Sequence, residues 1–374
     1  MSVTLEWFRE LVTTDRRVRE LADDPRRVVG VFCNFVPEEL ILAVGAVPVR
    51  LCSGDADAAT ASETILPREV CSTVRATAGQ VAAQAGLHGR ADLLVMPTPC
   101  DGKKKLASVL AAMRAVHVLD LPPRKDSPGA KPFWHLQVKL LAERLTALTG
   151  QRLTRGNLRA AIELLNRRQA AYRRFLTLRG RGLVGGADAL LVSQASFVAD
   201  PAEYTEQLGR LCDELDRAEP AATGGPRLLL TGAPLIWPNH KVIDIIEAAG
   251  GRVVADELCS GTQRLYQPTE IRENSLAELL AAVADKALLP CTCPCFVDGD
   301  DRLNRLMELV DEHRVDGVVY HNQRLCALFD IESMAVGQAL RDHKVPLLTL
   351  QTDFSREDMG QLRNRVDAFL EMIS

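Results

Sequence analysis

The chain has 374 residues, of which 47% are hydrophobic and 25% are charged, and its formal net charge is −4 at pH 7. This length predicts two or three domains, and this composition is ordinary for a globular protein in water. The acidic balance argues against a general nucleic-acid-binding protein, and no apolar stretch reaches the roughly 18 residues that a membrane-spanning helix needs.

Residues 1–24 have the pattern of an amphipathic helix rather than of a signal peptide, so we expect a cytosolic protein. Ten cysteines in a chain without an export signal do not indicate a disulfide framework. For any one cysteine taken alone, a role as a small buried hydrophobic residue is the simpler interpretation. The positions of the cysteines relative to the predicted strands indicate that several of them also have a functional role.

Residues 25–130 predict a first α/β domain with a parallel sheet, because short apolar runs alternate with helical patterns. The predicted strands cover residues 27–32, 47–51, 91–96 and 116–120. A helix is expected over residues 67–85, with Cys71 in its first turn. The helix macrodipole lowers the pKa of a thiol at that position.

Residues 131–222 predict a helical segment. Long helical patterns cover residues 134–148, 154–178 and 201–215, and no strand is convincing among them. A Gly/Pro-rich break at residues 221–226 ends the segment.

Residues 223–374 predict a second α/β domain. Its strands are expected at residues 227–230, 252–255, 287–289, 317–320 and 346–350, and its helices near residues 241–249, 302–313, 334–341 and 359–372. Both halves carry cysteines at corresponding places, which suggests a duplication.

Several cysteines follow the ends of predicted strands. In open parallel sheets, ligands bind just beyond the carboxyl ends of the strands. The residues in question are Cys33, Cys100, Cys259 and Cys295, with Cys326 one loop after a strand and Cys71 at the start of a helix. Cys52 and Cys212 are instead assigned to packing. This distribution predicts a shared site in the cleft between two facing α/β domains.

Residues 289–296 (LPCTCPCF) place three thiols within five residues. A thiolate needs an electropositive or metal partner to be stable at neutral pH. We expect one or two of Cys291, Cys293 and Cys295 to bind a group. The sequence has no paired Cys-x-x-Cys knuckle, which weakens a zinc site, and dispersed thiolates that converge in the fold favour an iron–sulfur cluster. Purely structural cysteines remain the alternative.

Several segments resemble the 2-hydroxyacyl-CoA dehydratase / benzoyl-CoA reductase superfamily. They are CNFVPEEL (33–40), LPREVC (66–71), CDGKKK (100–105), ELCSG (257–261), CPC (293–295) with Arg302, and Cys326 followed by Thr352-Asp353. These matches run in order along nearly the whole chain, which makes the resemblance specific.

The resemblance implies a cofactor and its ligands. Dehydratase subunits bind one four-iron cubane through three cysteines, and Cys71, Cys100 and Cys326 match that set. This chain also has Cys33, Cys259 and Cys295, with Cys293 as the alternative to Cys295. It is therefore most similar to the double-cubane cluster proteins, in which six cysteines hold two [4Fe–4S] cubanes bridged by a sulfide. The extra Cys291 keeps the choice of ligand among the three thiols open.

The resemblance further implies a homodimeric reductase component. It would reduce small molecules such as acetylene, azide or hydrazine with low-potential electrons from a separate ATP-hydrolysing iron–sulfur reductase, and the natural substrate stays open. Consistent with a separate ATPase, the sequence has no Walker A loop. The first rival is a 2-hydroxyacyl-CoA dehydratase subunit with a single [4Fe–4S] cluster, and the second is a cysteine-rich metal-binding scaffold without activity. Glu332 and Asp353 are candidates for proton transfer, with capping or surface roles as their alternatives.

Overall fold

The computed structural model of the chain describes residues 3–219 and 224–374. Its first part is a four-stranded parallel sheet flanked by helices. The elements are α1 (Val3–Thr13), α2 (Arg16–Glu20), β1 (Val28–Val31), α3 (Glu38–Ala43), β2 (Val47–Arg50), α4 (Ala56–Ala61), α5 (Ser72–Ala82), α6 (Gly86–Arg90), β3 (Leu93–Pro97), α7 (Asp101–Ala111) and β4 (Val116–Leu119).

Helices cover both faces of this first sheet. On β3, Leu93 and Val95 enter one apolar core, whereas Leu94 and Met96 enter the core on the opposite face. A parallel strand that is buried on both faces consists of continuous apolar residues rather than an alternating pattern. This explains why the short apolar runs of the sequence predict the strands well.

Four helices follow, namely α8 (Ala130–Thr149), α9 (Arg155–Gly180), α10 (Gly186–Ala195) and α11 (Pro201–Asp216). Thr154 starts α9 with a capping box, and Asp200 caps α11 by accepting the backbone N–H groups of Ala202 and Glu203. The sequence predicted three of these helices. It missed α10, which is buried along most of its length and therefore lacks the amphipathic pattern of a surface helix.

The last part of the chain forms a second four-stranded parallel sheet with its own helices. The elements are β5 (Arg227–Gly232), α12 (Lys241–Ala248), β6 (Arg252–Glu257), α13 (Leu276–Leu288), α14 (Asp300–His313), β7 (Gly317–Gln323), α15 (Ala327–Asp342), β8 (Leu347–Thr352) and α16 (Met359–Ile373). Of the predicted break before β5, residues 221–223 lie outside the described residues.

Both sheets have the same strand order. It is β2-β1-β3-β4 in the first sheet and β6-β5-β7-β8 in the second, and all neighbouring strands are parallel. The predicted α/β class with two parallel sheets flanked by helices is confirmed. The shared order also supports the suggested duplication.

The strand predicted at residues 287–289 is wrong, because these residues end or follow α13. Ser275 caps this helix by accepting the N–H of Glu278 at 3.2 Å, and Leu279, Val283 and Ala287 are buried at a four-residue spacing. A short apolar run cannot by itself distinguish a strand from the end of a buried helix.

Helix α13 completes the core of the first sheet, although it comes from the second half of the chain. Leu279, Val283 and Leu288 pack in one cluster with residues of α3, α8 and α9. The indole Nε1–H of Trp134 donates to the carbonyl of Ala284 at 2.7 Å. We predicted a helix at residues 1–24 followed by domains at residues 25–130, 131–222 and 223–374. This division stays a prediction, and the contacts of α13 with α3, α8 and α9 cross its boundaries.

The carboxyl ends of the two sheets lie close together. Gly54, just after β2, donates its N–H to the carbonyl of Trp237 at 3.1 Å, and Thr73 Oγ1 donates to Gln323 Oε1 at 2.8 Å. A Cβ atom built on Gly54 would overlap the backbone carbonyl of Ile236. Only glycine lets the two chain segments approach this closely.

Gly54→Ala is therefore expected to lower the free energy of unfolding by about 1–3 kcal/mol, because a backbone segment has to move. Urea denaturation followed by circular dichroism measures this change. The matched control is Gly209→Ala, because a Cβ there meets no atom within 4 Å and Gly209 lies inside α11. This control is expected to keep or raise stability. Equal losses for both variants would contradict the close contact at Gly54.

Helices that are both long and apolar enough to cross a membrane do not occur in the described part of the chain.

Candidate metal centre

A cavity lies where the carboxyl ends of the two sheets meet, and we call it the thiol cavity. The space between atoms there is about 830 Å³, including the part that is open to solvent. Eight of the ten cysteines line it, namely Cys33, Cys52, Cys71, Cys100, Cys259, Cys291, Cys293 and Cys326. The sequence-based expectation that cysteines after strand ends converge is met for Cys33, Cys100, Cys259 and Cys326.

Three of these residues cap helices that point into the cavity wall, and we call them the helix-cap thiols. Cys71, Cys100 and Cys326 are the N-cap residues of α5, α7 and α15. The Sγ of Cys100 accepts the backbone N–H of Lys103 at 3.5 Å. A helix N-terminus favours a negative charge, but burial outweighs this at Cys100 and raises the pKa of its thiol. These are the three residues that the resemblance assigns to one cubane.

The thiols of Cys71 and Cys326 are hydrogen-bonded to each other. This bond lowers the pKa of Cys326 to about 7, although burial opposes the shift. The same bond and burial raise the pKa of Cys71 well above its ordinary value. The opposite shifts of the two pKa values indicate that these two sulfurs are neighbours.

A second group of cysteines comes from loops, and we call Cys33, Cys259, Cys291 and Cys293 the loop thiols. Burial raises the pKa of Cys259 to about 12, while the positive charge of Arg50 opposes that rise. Burial also raises the pKa of Cys291 well above its ordinary value, and the charge of the Cys293 thiol adds to that rise. The loop thiols therefore interact with one another as the helix-cap thiols do.

Cys295 is placed differently from Cys293. Cys293 lines the thiol cavity, whereas Cys295 is not among its lining residues. The thiol of Cys295 is hydrogen-bonded to that of Cys293, and this bond lowers the pKa of Cys293. Both cysteines pack against the core of the first sheet. The ligand choice between Cys293 and Cys295 stays a prediction, and the geometry favours Cys293.

Three cations line the cavity beside the thiols. Arg50 donates to Asn34 Oδ1 at 2.6 Å and to the carbonyl of Cys259 at 2.9 Å, and Lys103 Nζ donates to the carbonyl of Phe32 at 2.6 Å. Burial lowers the pKa of Lys103, but the neighbouring thiols of Cys33 and Cys52 outweigh it and leave the pKa raised. The amine is therefore positive and offsets the charge of nearby thiolates.

The third cation, Arg302, is fixed by a buried ion pair. Its side chain lies 2.9 Å from Glu257 Oε2 and donates to the carbonyl of Thr292 at 3.0 Å and to Thr231 Oγ1 at 3.1 Å. Because Thr292 lies between Cys291 and Cys293, Arg302 orients the loop that carries these thiols.

The donor set fits an iron–sulfur group better than a single metal ion. Among the described residues, no three His, Cys, Asp or Glu side chains are arranged to hold one metal ion. The thiols are instead spread around the wall of a cavity, and the irons of a cluster take separate thiolates. A wall of thiols with three cations matches that chemistry.

Neither proposed proton-transfer residue lines the thiol cavity. Glu332 lies 3.4 Å from Arg302, and burial raises its pKa. Asp353 pairs with Arg324 at 2.9 Å and accepts the N–H of Ser355 at 2.8 Å, which is the geometry of a loop-stabilising residue. Proton transfer by either residue stays a prediction.

The two cysteines that the sequence assigned to packing have different surroundings. Cys212 is fully buried among the helices of the helical segment, as expected for a packing residue. Cys52 is half-buried, lines the thiol cavity and donates to the carbonyl of Phe32 at 3.4 Å. It follows β2 by two residues, so the rule about strand ends could have placed it there. Arg50 and Gln263, which line the same cavity, were not singled out from the sequence at all.

Comparisons with known proteins identify the family to which the chain belongs. The family described as 2-hydroxyglutaryl-CoA dehydratase, D-component, matches residues 33–373. An Escherichia coli (strain K12) protein named provisionally as dehydratase subunit YjiM is 32% identical over 95% of this chain and 94% of its own length.

Two more distant relatives cover nearly as much of the chain. The beta subunit of (R)-2-hydroxyglutaryl-CoA dehydratase from Acidaminococcus fermentans is 24% identical over 93% of each chain. One of the benzoyl-CoA reductase subunits from Thauera aromatica is 22% identical over 98% of this chain and 96% of its own. The resemblance found in the sequence is thus confirmed, and the chain belongs to the family of the 2-hydroxyglutaryl-CoA dehydratase D-component.

Proposed function

We propose that the chain is the iron–sulfur component of a reductase that acts on a small molecule. The observation that carries the proposal is the presence of two groups of thiols on one cavity. The helix-cap thiols would hold one cubane. Cys33, Cys259 and either Cys293 or Cys295 would hold the second, which requires more cysteines than a single cluster does.

When bound, such clusters supply single electrons at low potential, and the residues around them set that potential. Arg50, Lys103 and Arg302 place positive charge on the cavity wall and so stabilise the added negative charge of a reduced state. The backbone N–H groups at the starts of α5, α7 and α15 act in the same direction. The chain's own residues thus bind the group and tune its charge.

The electrons would come from a separate ATP-hydrolysing iron–sulfur reductase. Several relatives are named as subunits, which supports a partner component. A homodimer remains a prediction. Phe133, Leu136 and Leu140 form an exposed apolar stripe on α8, which is compatible with a second copy covering them.

A 2-hydroxyacyl-CoA dehydratase subunit with one [4Fe–4S] cluster is the second candidate. The names of the relatives favour it, and the helix-cap thiols alone would suffice for its single cluster. The loop thiols would then have no ligand role. The same names, which are those of dehydratase and reductase components, weigh against an inactive scaffold.

Iron and sulfide analysis of protein purified without oxygen separates the two candidates. We expect about eight iron atoms per chain for two cubanes, against about four for one. Reduction of acetylene to ethylene, supplied with electrons by an ATP-hydrolysing iron–sulfur reductase, then tests the activity. About four iron atoms and no ethylene would overturn the proposal in favour of the dehydratase subunit.

A further inference from the structure

Two other cavities adjoin the thiol cavity. The first, which we call the outer cavity, lies between α1, the end of β2 and the segment around Trp237. Its space between atoms is about 1130 Å³, including the part that is open to solvent. It shares Arg50, Cys52 and Ile236 with the thiol cavity. The second, which we call the side cavity, lies beside α14 and has about 880 Å³ of space between atoms, including the part that is open to solvent. It shares Glu257 and Gln263 with the thiol cavity. Each therefore shares part of its wall with the thiol cavity.

The wall toward the side cavity is closed by hydrogen bonds. The amide nitrogen of Gln263 donates to Glu257 Oε1 at 3.1 Å and to Thr292 Oγ1 at 2.6 Å. Its amide oxygen accepts a hydrogen bond from Asn34 at 2.9 Å. Moving Gln263 would leave several buried polar groups without partners, which is costly in the interior of a protein.

The wall toward the outer cavity is easier to open. The side chain of Ile236 is apolar, so a change of its rotamer breaks no hydrogen bond, while its backbone stays fixed against Gly54. Cys52 is half-buried and lines both cavities.

Arg50 stays in place at this wall. It is held by Asn34 and by the carbonyl of Cys259, and its guanidinium lies 4.5 Å from the ring centre of Phe197. A fixed positive charge at the passage admits neutral and anionic molecules and repels cations.

We propose that the outer cavity is the entry route by which a small neutral or anionic substrate reaches the thiol cavity, with the side chain of Ile236 as the movable part of the wall. The inference rests on the proposed function for the identity of the substrate. The route itself does not depend on whether one or two cubanes are bound.

The test narrows each cavity with a bulky side chain and measures access to the bound cluster. Thr14 and Ala85 both line the outer cavity, so the variants are Ala85→Trp and Thr14→Trp. Thr14 is exposed, so its variant has little effect on folding. Asn304→Trp, at an exposed position of α14, is the matched control in the side cavity. Hydrogen peroxide is the probe, and the loss of visible absorbance of the anaerobically purified protein gives the rate constant of its attack.

Both outer-cavity variants are expected to lower this rate constant about tenfold, and Asn304→Trp is expected to leave it unchanged. The proposed route would be refuted if all three variants had the same rate constant, or if only Asn304→Trp lowered it. A second measurement uses the protein without metal. The rate at which iodoacetamide alkylates Cys100, followed by mass spectrometry, should be lowered in the same variants.

Acetylene reduction separates failure of the route from failure of the proposed function. If both are right, the outer-cavity variants lose kcat/KM for acetylene and keep kcat at saturation. A protein that reduces no acetylene but shows slowed bleaching in the outer-cavity variants would keep the route and refute the reductase.

Discussion

Cys259→Ser is expected to lose about half of the bound iron and all reduction of the small-molecule substrate. Cys259 is one of the loop thiols and lies beside Arg50. It does not belong to the helix-cap thiols. Serine lacks the soft thiolate that iron–sulfur clusters require. Iron and sulfide analysis, together with electron paramagnetic resonance of the reduced protein, measures what remains. Full iron in Cys259→Ser with lost iron in Cys71→Ser would show a single cubane.

Four further variants sharpen this experiment. Cys212→Ser should keep full iron because this residue packs among helices far from the cavity. Cys52→Ser should also keep full iron, and it is the stricter control because Cys52 lines the same cavity. Between the two remaining candidates, Cys293→Ser should lose iron and Cys295→Ser should retain more, because Cys293 faces the cavity.

Asp256→Ala is expected to lower the free energy of unfolding by about 3–5 kcal/mol, because it leaves a buried cation without its partner. Arg179 and Asp256 form an ion pair in which both side chains are almost completely buried. Asp256 also accepts the backbone N–H of Thr262 at 2.9 Å and that of Leu258 at 3.2 Å. It therefore fixes both ends of the loop that carries Cys259.

Chemical denaturation of the metal-free protein measures this loss of stability without interference from a cofactor. The control is Glu163→Ala, which breaks an exposed ion pair with Arg159 on α9. Exposed pairs contribute little, so this variant should match the unchanged protein. If the two variants are equally stable, the buried pair does not carry the stability assigned to it. Iron content of Asp256→Ala should also fall, because the loop around Cys259 loses its anchor.

The strands of both sheets were predictable because parallel strands buried on both faces are short apolar runs. The rule that ligands follow strand ends located Cys33, Cys100, Cys259 and Cys326 without any structure. The same rule applied to Cys52, which was nevertheless assigned to packing. Local patterns thus identified much of the site, and the assignment of Cys52 to packing stays a prediction, although this residue lines the thiol cavity.

What the sequence could not supply is the contact between distant segments. Helix α13 has a clear start at Ser275, yet the residues at its end were predicted as a strand. Arg50 acquires its role only because β2 lies next to the loop of Cys259, 209 residues further along the chain. The choice between Cys293 and Cys295 also depends on which sulfur turns toward the cavity. These relations arise from tertiary packing between distant segments, and no periodic pattern in a single sequence predicts such contacts.

The position of α13 also bears on how the chain is synthesised. A nascent chain that ends near residue 219 contains every strand of the first sheet but lacks the helix that covers part of its core. Until residues 276–288 leave the ribosome, Trp134 and its apolar neighbours stay exposed, and such surfaces promote aggregation. Contacts so distant in sequence also slow folding, since a long loop must close first. The first sheet therefore matures late, and a fragment that stops before α13 should not fold as an independent unit.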